Sequence, residues 1–185
     1  MTIVKKTERN IIMDFLELAE KRFSCRKFKD MPIEEEKIQA MLKSAQLAPT
    51  AVNFQPQRIL VLTDKEKIEK LDTNKCTRYT FNAPLIMVVC YDTEKSWKRR
   101  CDNHDEGEVD ASIVTAHIMF EAVQLGLGCT WVGSFNPDIA REVLNIPDNY
   151  NITALLPIGY PDEEPSENHR KRIAIEEFAF RNEFK

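Results

Sequence analysis

The sequence predicts an α/β (α+β) protein. Two amphipathic helical patterns come first, at residues 13–23 and 33–47, and segments typical of strands then alternate with helical patterns. No Gly-x-Gly-x-x-Gly follows the first strand pattern, which argues against a Rossmann fold. At 185 residues the chain has the length of one domain. We therefore expect a single domain over residues 1–185, with an N-terminal extension at 1–12 and a tail at 173–185.

The first half of the chain carries clear signals for where its elements begin. Pro32 is expected to open the second helix, because proline suits the first helical turn. Residues 58–63 have the composition of a strand, and Asp64 is expected to cap a short helix that ends near residue 71. The continuous apolar run at residues 85–91 is typical of a strand buried on both faces.

The second half begins with the longest helical pattern, at residues 108–126. Its middle has few ionisable groups, so we expect it to be the central core helix, ending at Gly126 or Gly128. The elements predicted after it are a strand at residues 129–133, a helix that starts at Pro137 with Asn136 as its cap, and a strand at residues 152–160.

Two further segments are expected to be functional. Residues 92–107 form a polar insert with Trp97 at its centre, and a long polar stretch between core elements is usually functional or mobile. The tail carries Phe178, Phe180 and Phe184 among charges. Three phenylalanines are costly to leave in water, so we expect the tail to pack on something, with another subunit as one candidate.

The composition excludes several classes of protein. A net charge of −4 argues against general nucleic-acid binding, which needs a basic surface. The longest apolar run, residues 83–91, is too short to cross a bilayer. The start of the chain has no signal-peptide pattern, and the five cysteines lack framework spacing, so the expected location is the cytoplasm. Residues 101–105 offer metal-capable side chains, but no second cluster completes a site, and no metal is predicted.

The segment most suggestive of chemistry is residues 22–28, which places Arg22, Arg26 and Lys27 around Ser24. Two arginines with a serine between them can donate bidentate hydrogen bonds to a phosphate and to a second anionic or carbonyl group. A solvated basic helix end, favoured by the helix dipole, is the alternative. The segment by itself leaves both interpretations open.

Four separated pieces of the sequence together resemble the nitroreductase family. These pieces are residues 22–28, 48–56, 126–133, and the basic residues 170–172 that precede Glu176 and Glu177. The similarity runs in the same order over roughly residues 13–180. The family consists of flavoenzymes that bind FMN and take electrons from NADH or NADPH. The resemblance implies a mixed sheet flanked by helices, and an intertwined homodimer with FMN at the subunit interface.

By this resemblance, Arg22 and Ser24 hold the FMN phosphate and ribityl chain, and Arg26 approaches the N1/O2 edge of the flavin ring. A guanidinium fixed there would stabilise the reduced flavin, which makes Arg26 the one candidate for a catalytic role. The other implied cofactor-binding residues are Phe23, Pro49, Thr50, Ala51, Asn53, Asn82, Trp131, Val132, Gly133, Arg170 and Arg172. The family often has arginine in place of Phe23 and serine in place of Thr50, although both positions can still contribute backbone contacts.

Several of these residues also have an ordinary structural interpretation. Arg170 and Arg172 are implied to bring further cations to the phosphate, and the alternative is a solvated basic turn. Residues 49–51 are implied to reach across the interface to the other subunit's flavin. Asn53 is implied to bond the flavin or to brace this loop, but asparagine is common in turns.

The flavin ring has its own candidate contacts. Asn82 is implied to lie on the pyrimidine edge, where an amide can both donate to a carbonyl and accept from N3–H. Residues 131–133 are implied to lie along the other side of the ring, where Gly133 would let backbone come close, although it could equally mark a strand end. Trp97 and its insert are expected to cover the pocket and to tune the choice of substrate.

The activity implied is that of an FMN-dependent oxidoreductase with a ping-pong cycle. NADH or NADPH would reduce the flavin and leave, and a small-molecule acceptor such as a nitroaromatic or quinone would then take the electrons. The cofactor carries the chemistry, so no side chain need act as a nucleophile. Two alternatives remain: a flavin-binding or sensing protein with little turnover, and an interaction module without flavin that uses the tail and the basic patches.

Overall fold

The computed structural model describes residues 13–73, 75–78 and 80–184, so the extension predicted at residues 1–12 lies outside the described residues. The helices are α1 Phe15–Lys21, α2 Glu35–Leu47, α3 Lys65–Thr73, α4 Gly107–Gln124, α5 Pro137–Leu144, α6 Glu167–Arg170 and α7 Ile175–Phe178. The strands are β1 Gln57–Leu62, β2 Leu85–Asp92, β3 Gly128–Cys129 and β4 Tyr150–Gly159. The predicted α/β class is confirmed.

The four strands form one sheet in the order β1-β2-β4-β3, and each neighbouring pair is antiparallel. A parallel bridge between Ser24 and Cys129 extends the sheet beyond β3. Strand β2 lies in the middle and is buried along its whole length, as its continuous apolar run predicts.

Helices cover both faces of this sheet. Because side chains alternate along a strand, Met87 and Val89 point into a core shared with α2 and α4, whereas Ile86 and Val88 point into a core shared with α3 and α5. The molecule therefore has three layers, with the sheet between two pairs of helices.

Helix α4 is the central core helix that the sequence predicts. Its fully buried residues are Ala111, Val114, Thr115, Ile118 and Ala122. The helix ends at Gly126, which has φ +78, a conformation that suits glycine. The amide of Leu127 donates to the carbonyl of Ala122 at 2.8 Å, which closes a Schellman motif and confirms the stop signal.

The strand predicted at residues 129–133 is wrong in extent, because β3 ends at Cys129. The chain pairs with β4 again only at Val132, opposite Leu155. Between them, Thr130 lies opposite Pro157 and donates to its carbonyl at a long 3.4 Å. Proline has no N–H to return the bond, so the ladder is interrupted there.

The helix predictions hold with shifted ends. Helix α1 is shorter than residues 13–23, and α2 begins at Glu35 because Glu34 is still extended. The predicted caps are confirmed: the Asp64 carboxylate accepts from the amide of Glu66, and the Asn136 side chain accepts from the first amides of α5.

The tail leaves its aromatic residues exposed in the single chain. Phe180 and Phe184 stack edge-to-face, with ring centroids 5.4 Å apart, and Phe184 is 90% exposed. The packing of Phe178 and its neighbours on a second subunit therefore stays a prediction. Within the described residues, no helix combines the length and the apolar character that a membrane span requires.

The five cysteines are free thiols, and their surroundings differ sharply. Cys25, Cys76, Cys90 and Cys129 are buried, whereas Cys101 is exposed. Burial raises the pKa of Cys25 and of Cys90 to about 11, and that of Cys129 to about 12. The thiols of Cys25, Cys90 and Cys129 therefore stay protonated at neutral pH.

Candidate functional site

The basic segment at residues 22–28 lies along the edge of the sheet formed by β3. The amide of Cys25 donates to the carbonyl of Cys129 at 3.0 Å, next to the Ser24–Cys129 bridge. Phe28 pairs with Pro161, just beyond β4. Gly128 permits this approach, since a Cβ at that position would lie 2.8 Å from the Cβ of Cys25. The sheet edge thus fixes the backbone that carries Arg22, Ser24 and Arg26.

Glu163 is a second anchor of this segment, and sequence reasoning missed it. Its carboxylate accepts hydrogen bonds from the amide of Arg26 and, at 3.1 Å, from the amide of Lys27. The carbonyl of Lys27 in turn accepts from the amide of Asp162 at 3.0 Å. Nothing in the acidic run 162–164 singles out Glu163 before the fold is known.

The second basic segment, residues 170–172, comes from the far end of the sequence and reaches the first. His169 Nε2 lies 3.0 Å from the carbonyl oxygen of Glu20, and its ring is 6.2 Å from the ring of Phe23. Arg170 and Arg172 are exposed beside this contact. These contacts bring the two basic segments side by side at one end of the molecule.

Two arginines of this cluster, Arg26 and Arg172, donate to backbone carbonyls. Arg172 donates to the carbonyls of His169 and, at 2.8 Å, of Lys171. Arg26 donates to the carbonyl of Ser24 at 3.1 Å. Within the described ranges, no carboxylate pairs with the guanidinium of Arg22, Arg26, Arg170 or Arg172. Each guanidinium has five N–H groups, so the cluster keeps donors for an anion.

Trp131, Val132 and Gly133 follow the same edge. Val132 is buried against β4, while Trp131 is 37% exposed. A Cβ on Gly133 would meet only the Trp131 ring, with its nearest atom at 3.6 Å, so there is open space beside this backbone. Asn82 is exposed and lines a small cavity with Leu155 and Pro157, the β4 residues that face the 130–132 segment.

The loop with Pro49, Thr50, Ala51 and Asn53 does not join this cluster within one chain. The amide of Ala51 donates to Asp110 in the first turn of α4 at 2.7 Å, whereas the arginines lie beside β3, beyond the end of that helix. Helix α4 has 18 residues and is therefore about 27 Å long. A single chain keeps the two groups about one helix length apart.

The insert with Trp97 lies at the same end of α4 as this loop. It folds as a hairpin in which Lys98 pairs with Asp105, and the carbonyl of Trp97 accepts from the amide of Glu106 at 3.0 Å. Trp97 is half-buried. Like the loop, the insert does not lie over the arginine cluster of its own chain.

Residues 19–75 and 72–160 match the model of the Nitroreductase family. The chain belongs to the nitroreductase family. A solved nitroreductase family protein from Clostridium difficile 630 is 41% identical, with a TM-score of 0.86 over 93% of this chain and 100% of that one. The predicted resemblance is thus confirmed, and the fold of this chain is a nitroreductase fold.

Two further relatives carry functional names. A structure described as an FMN-dependent nitroreductase from Clostridium difficile R20291 is 31% identical, with a TM-score of 0.76 over 91% of this chain and 99% of that one. A protein of Archaeoglobus fulgidus named NADH dehydrogenase/NAD(P)H nitroreductase is 34% identical over 152 residues, 77% of this chain and 83% of that protein.

Replacing Glu163 tests whether its carboxylate anchors the nitroreductase basic segment. Glu163→Ala is expected to lower the free energy of unfolding by about 1 kcal/mol, because it removes charge-assisted bonds to two amides that water can partly replace. Glu163→Gln, which keeps an oxygen acceptor, should lower the free energy of unfolding by less. Urea unfolding measures both, with Glu164→Ala as the matched control. Equal stabilities for Glu163→Ala and Glu164→Ala would contradict the anchoring role.

Proposed function

We propose that this nitroreductase family member is an FMN-dependent oxidoreductase that uses NADH or NADPH to reduce nitroaromatic, quinone or similar acceptors. The observation that carries the proposal is the cluster of Arg22, Arg26, Arg170 and Arg172, whose guanidinium groups face no carboxylate partner in the described part of the chain. The names of the relatives support the same activity.

The residues present suit FMN. Its phosphate carries a charge near −2, which the arginines match in sign and in donor geometry. Open space beside Gly133 leaves room for a planar ring to approach the backbone, and the Asn82 amide can both donate and accept. No other kind of ligand chemistry is needed to account for this set of donors.

In this proposal Arg22 and Ser24, with Arg170 and Arg172, hold the phosphate and ribityl chain, and Arg26 faces the pyrimidine edge of the ring. FMN bound there would supply the redox chemistry that links NAD(P)H to an acceptor in a ping-pong cycle. The protein contributes position and charge. A guanidinium held at the pyrimidine edge favours negative charge there, which is the role proposed for Arg26.

We further propose that two chains complete each site as a homodimer. The loop at residues 49–54 lies far from the arginines of its own chain, and Val52 and Phe54 are exposed on it. Exposed apolar side chains on this turn are better placed against a second copy than in water. The cytoplasm is the proposed location, since the five thiols are free.

The proposal is tested on purified protein. One FMN per chain is expected, and anaerobic NADH or NADPH should bleach the flavin absorbance rapidly. Flavin that is retained but bleaches only slowly would indicate a sensing protein with little turnover. Released FAD, or no flavin after reconstitution, would overturn the assignment.

The position of the hairpin gives a prediction about acceptor choice. Trp97→Ala is expected to change the ratio of rates for bulky and small acceptors, because the hairpin lies at the end of α4 that we assign to the partner's flavin. FMN content should stay constant, and Glu94→Ala, in the same hairpin, is the control. Steady-state rates across a panel of quinones and nitroaromatics measure the effect. An unchanged ratio would count against a role for Trp97.

A further inference from the structure

The turn at residues 51–53 has a backbone conformation that its sequence disfavours. Val52 has φ +52 and ψ +19, and Asn53 has φ +57. Asparagine tolerates the left-handed region, but a β-branched residue is a genuine outlier there. Val52 is also 67% exposed, so burial of its side chain does not offset this cost. Something else holds the turn in shape.

The surrounding hydrogen bonds identify what holds it. Within the turn, the Thr50 carbonyl accepts from the amide of Asn53 at 3.0 Å, and the Thr50 hydroxyl accepts from that of Gln55 at 3.1 Å. The tie to the rest of the protein is the amide of Ala51, which donates to Oδ1 of Asp110 at 2.7 Å. Asp110 lies in the first turn of α4, the central core helix, and is buried there.

Burying the carboxyl group of Asp110 costs free energy. The residue is 2% exposed, and in the described residues its second oxygen, Oδ2, has no hydrogen-bond partner. Burial raises the pKa of this carboxyl, and the carboxylates of Glu106 and Asp105 raise it further, against the effect of the Ala51 amide. A buried carboxyl with an unpaired oxygen calls for a reason beyond stability.

We propose that Asp110 is a positioning residue that holds the strained turn at residues 50–54 in the shape that meets the partner chain's FMN. The inference rests on the proposed function, since the turn matters to catalysis only if a second chain brings a flavin to it. Without the carboxylate, Val52 is free to return to an ordinary conformation. Ala51 and Asn53 then move away from the positions assigned to them.

A rescue experiment separates this role from a general structural one. Asp110→Ala is expected to weaken FMN binding to the apo dimer on the order of tenfold, and Asp110→Asn, which keeps an oxygen acceptor, by less. Glycine adopts positive φ without strain. In a protein that already carries Val52→Gly, adding Asp110→Ala should therefore reduce the affinity for FMN only slightly. An equal loss in both backgrounds would overturn the proposal.

Amide hydrogen exchange at residues 50–55 tests whether Asp110 stabilises the turn, and this test does not depend on the cofactor. Exchange at Ala51 should be faster in Asp110→Ala than in the wild type. Unchanged exchange would overturn the proposal, and faster exchange with unchanged FMN affinity would overturn its link to the cofactor. If the apo wild type takes up no FMN, the proposed function and that link fail together. The exchange result then still decides whether Asp110 holds the turn.

Discussion

Arg172→Ala is expected to reduce the affinity for FMN by about tenfold to hundredfold. In the proposed function the change would remove one charge-assisted contact to phosphate, worth on the order of 1.5–3 kcal/mol. Arg22→Ala removes a contact from the other end of the sequence and should act similarly. Because both arginines would bind one phosphate, the losses in the double variant need not add.

Titration of FMN into apo protein measures this effect, and Arg181→Ala, which removes an equal charge from the exposed tail, is the control. If FMN binds the folded protein as proposed, lower occupancy should also lower the melting temperature, and excess FMN should restore much of the loss. High salt should weaken the remaining attraction. An affinity for Arg172→Ala equal to that of the wild type would mean that this arginine is a solvated turn residue.

Gly128→Ala is expected to lower the free energy of unfolding by about 1–3 kcal/mol, as overpacking of a tight interior does. The new Cβ would lie 2.8 Å from the Cβ of Cys25 and 2.9 Å from its sulfur, and the short Cys25 side chain is fully buried. Either β3 or the segment at residues 22–28 must shift. FMN affinity should therefore fall as well, because that segment carries Arg22 and Ser24.

Gly133→Ala is the matched control for stability. Its Cβ would meet only the Trp131 ring at ordinary contact distance, so a change within about 0.5 kcal/mol is expected. Denaturant unfolding of both variants decides the matter. If Gly128→Ala is as stable as Gly133→Ala, the close approach of the basic segment to β3 is wrong.

Much of the fold was predictable because its signals are local. The apolar run of β2, the Asn136 cap and the stop at Gly126 each depend on a few adjacent residues. The early end of β3 was not predictable from the sequence, because it depends on Pro157 in a strand far along the chain. A local pattern shows that Thr130 can join a strand, but not what lies opposite it.

The residues of the candidate site were likewise predictable only in part. The sequence marks Arg22 and Arg172 as basic, but only the fold, or the likeness to a family, places them together. Glu163 and Asp110 were missed because an acid in an acidic run, or in the first turn of a helix, already has an ordinary explanation. Their roles depend on amides that approach from distant parts of the chain.

One exposed thiol among buried ones gives this protein a natural site for chemical labelling. Only a thiolate reacts readily with alkylating reagents, and the pKa values of about 11 to 12 at Cys25, Cys90 and Cys129 keep those groups unreactive at neutral pH. Cys101, exposed in the turn between Lys98 and Asp105, is the accessible one of the five. A fluorophore or spin label placed there would report hairpin motion and the separation between two copies without any engineered cysteine.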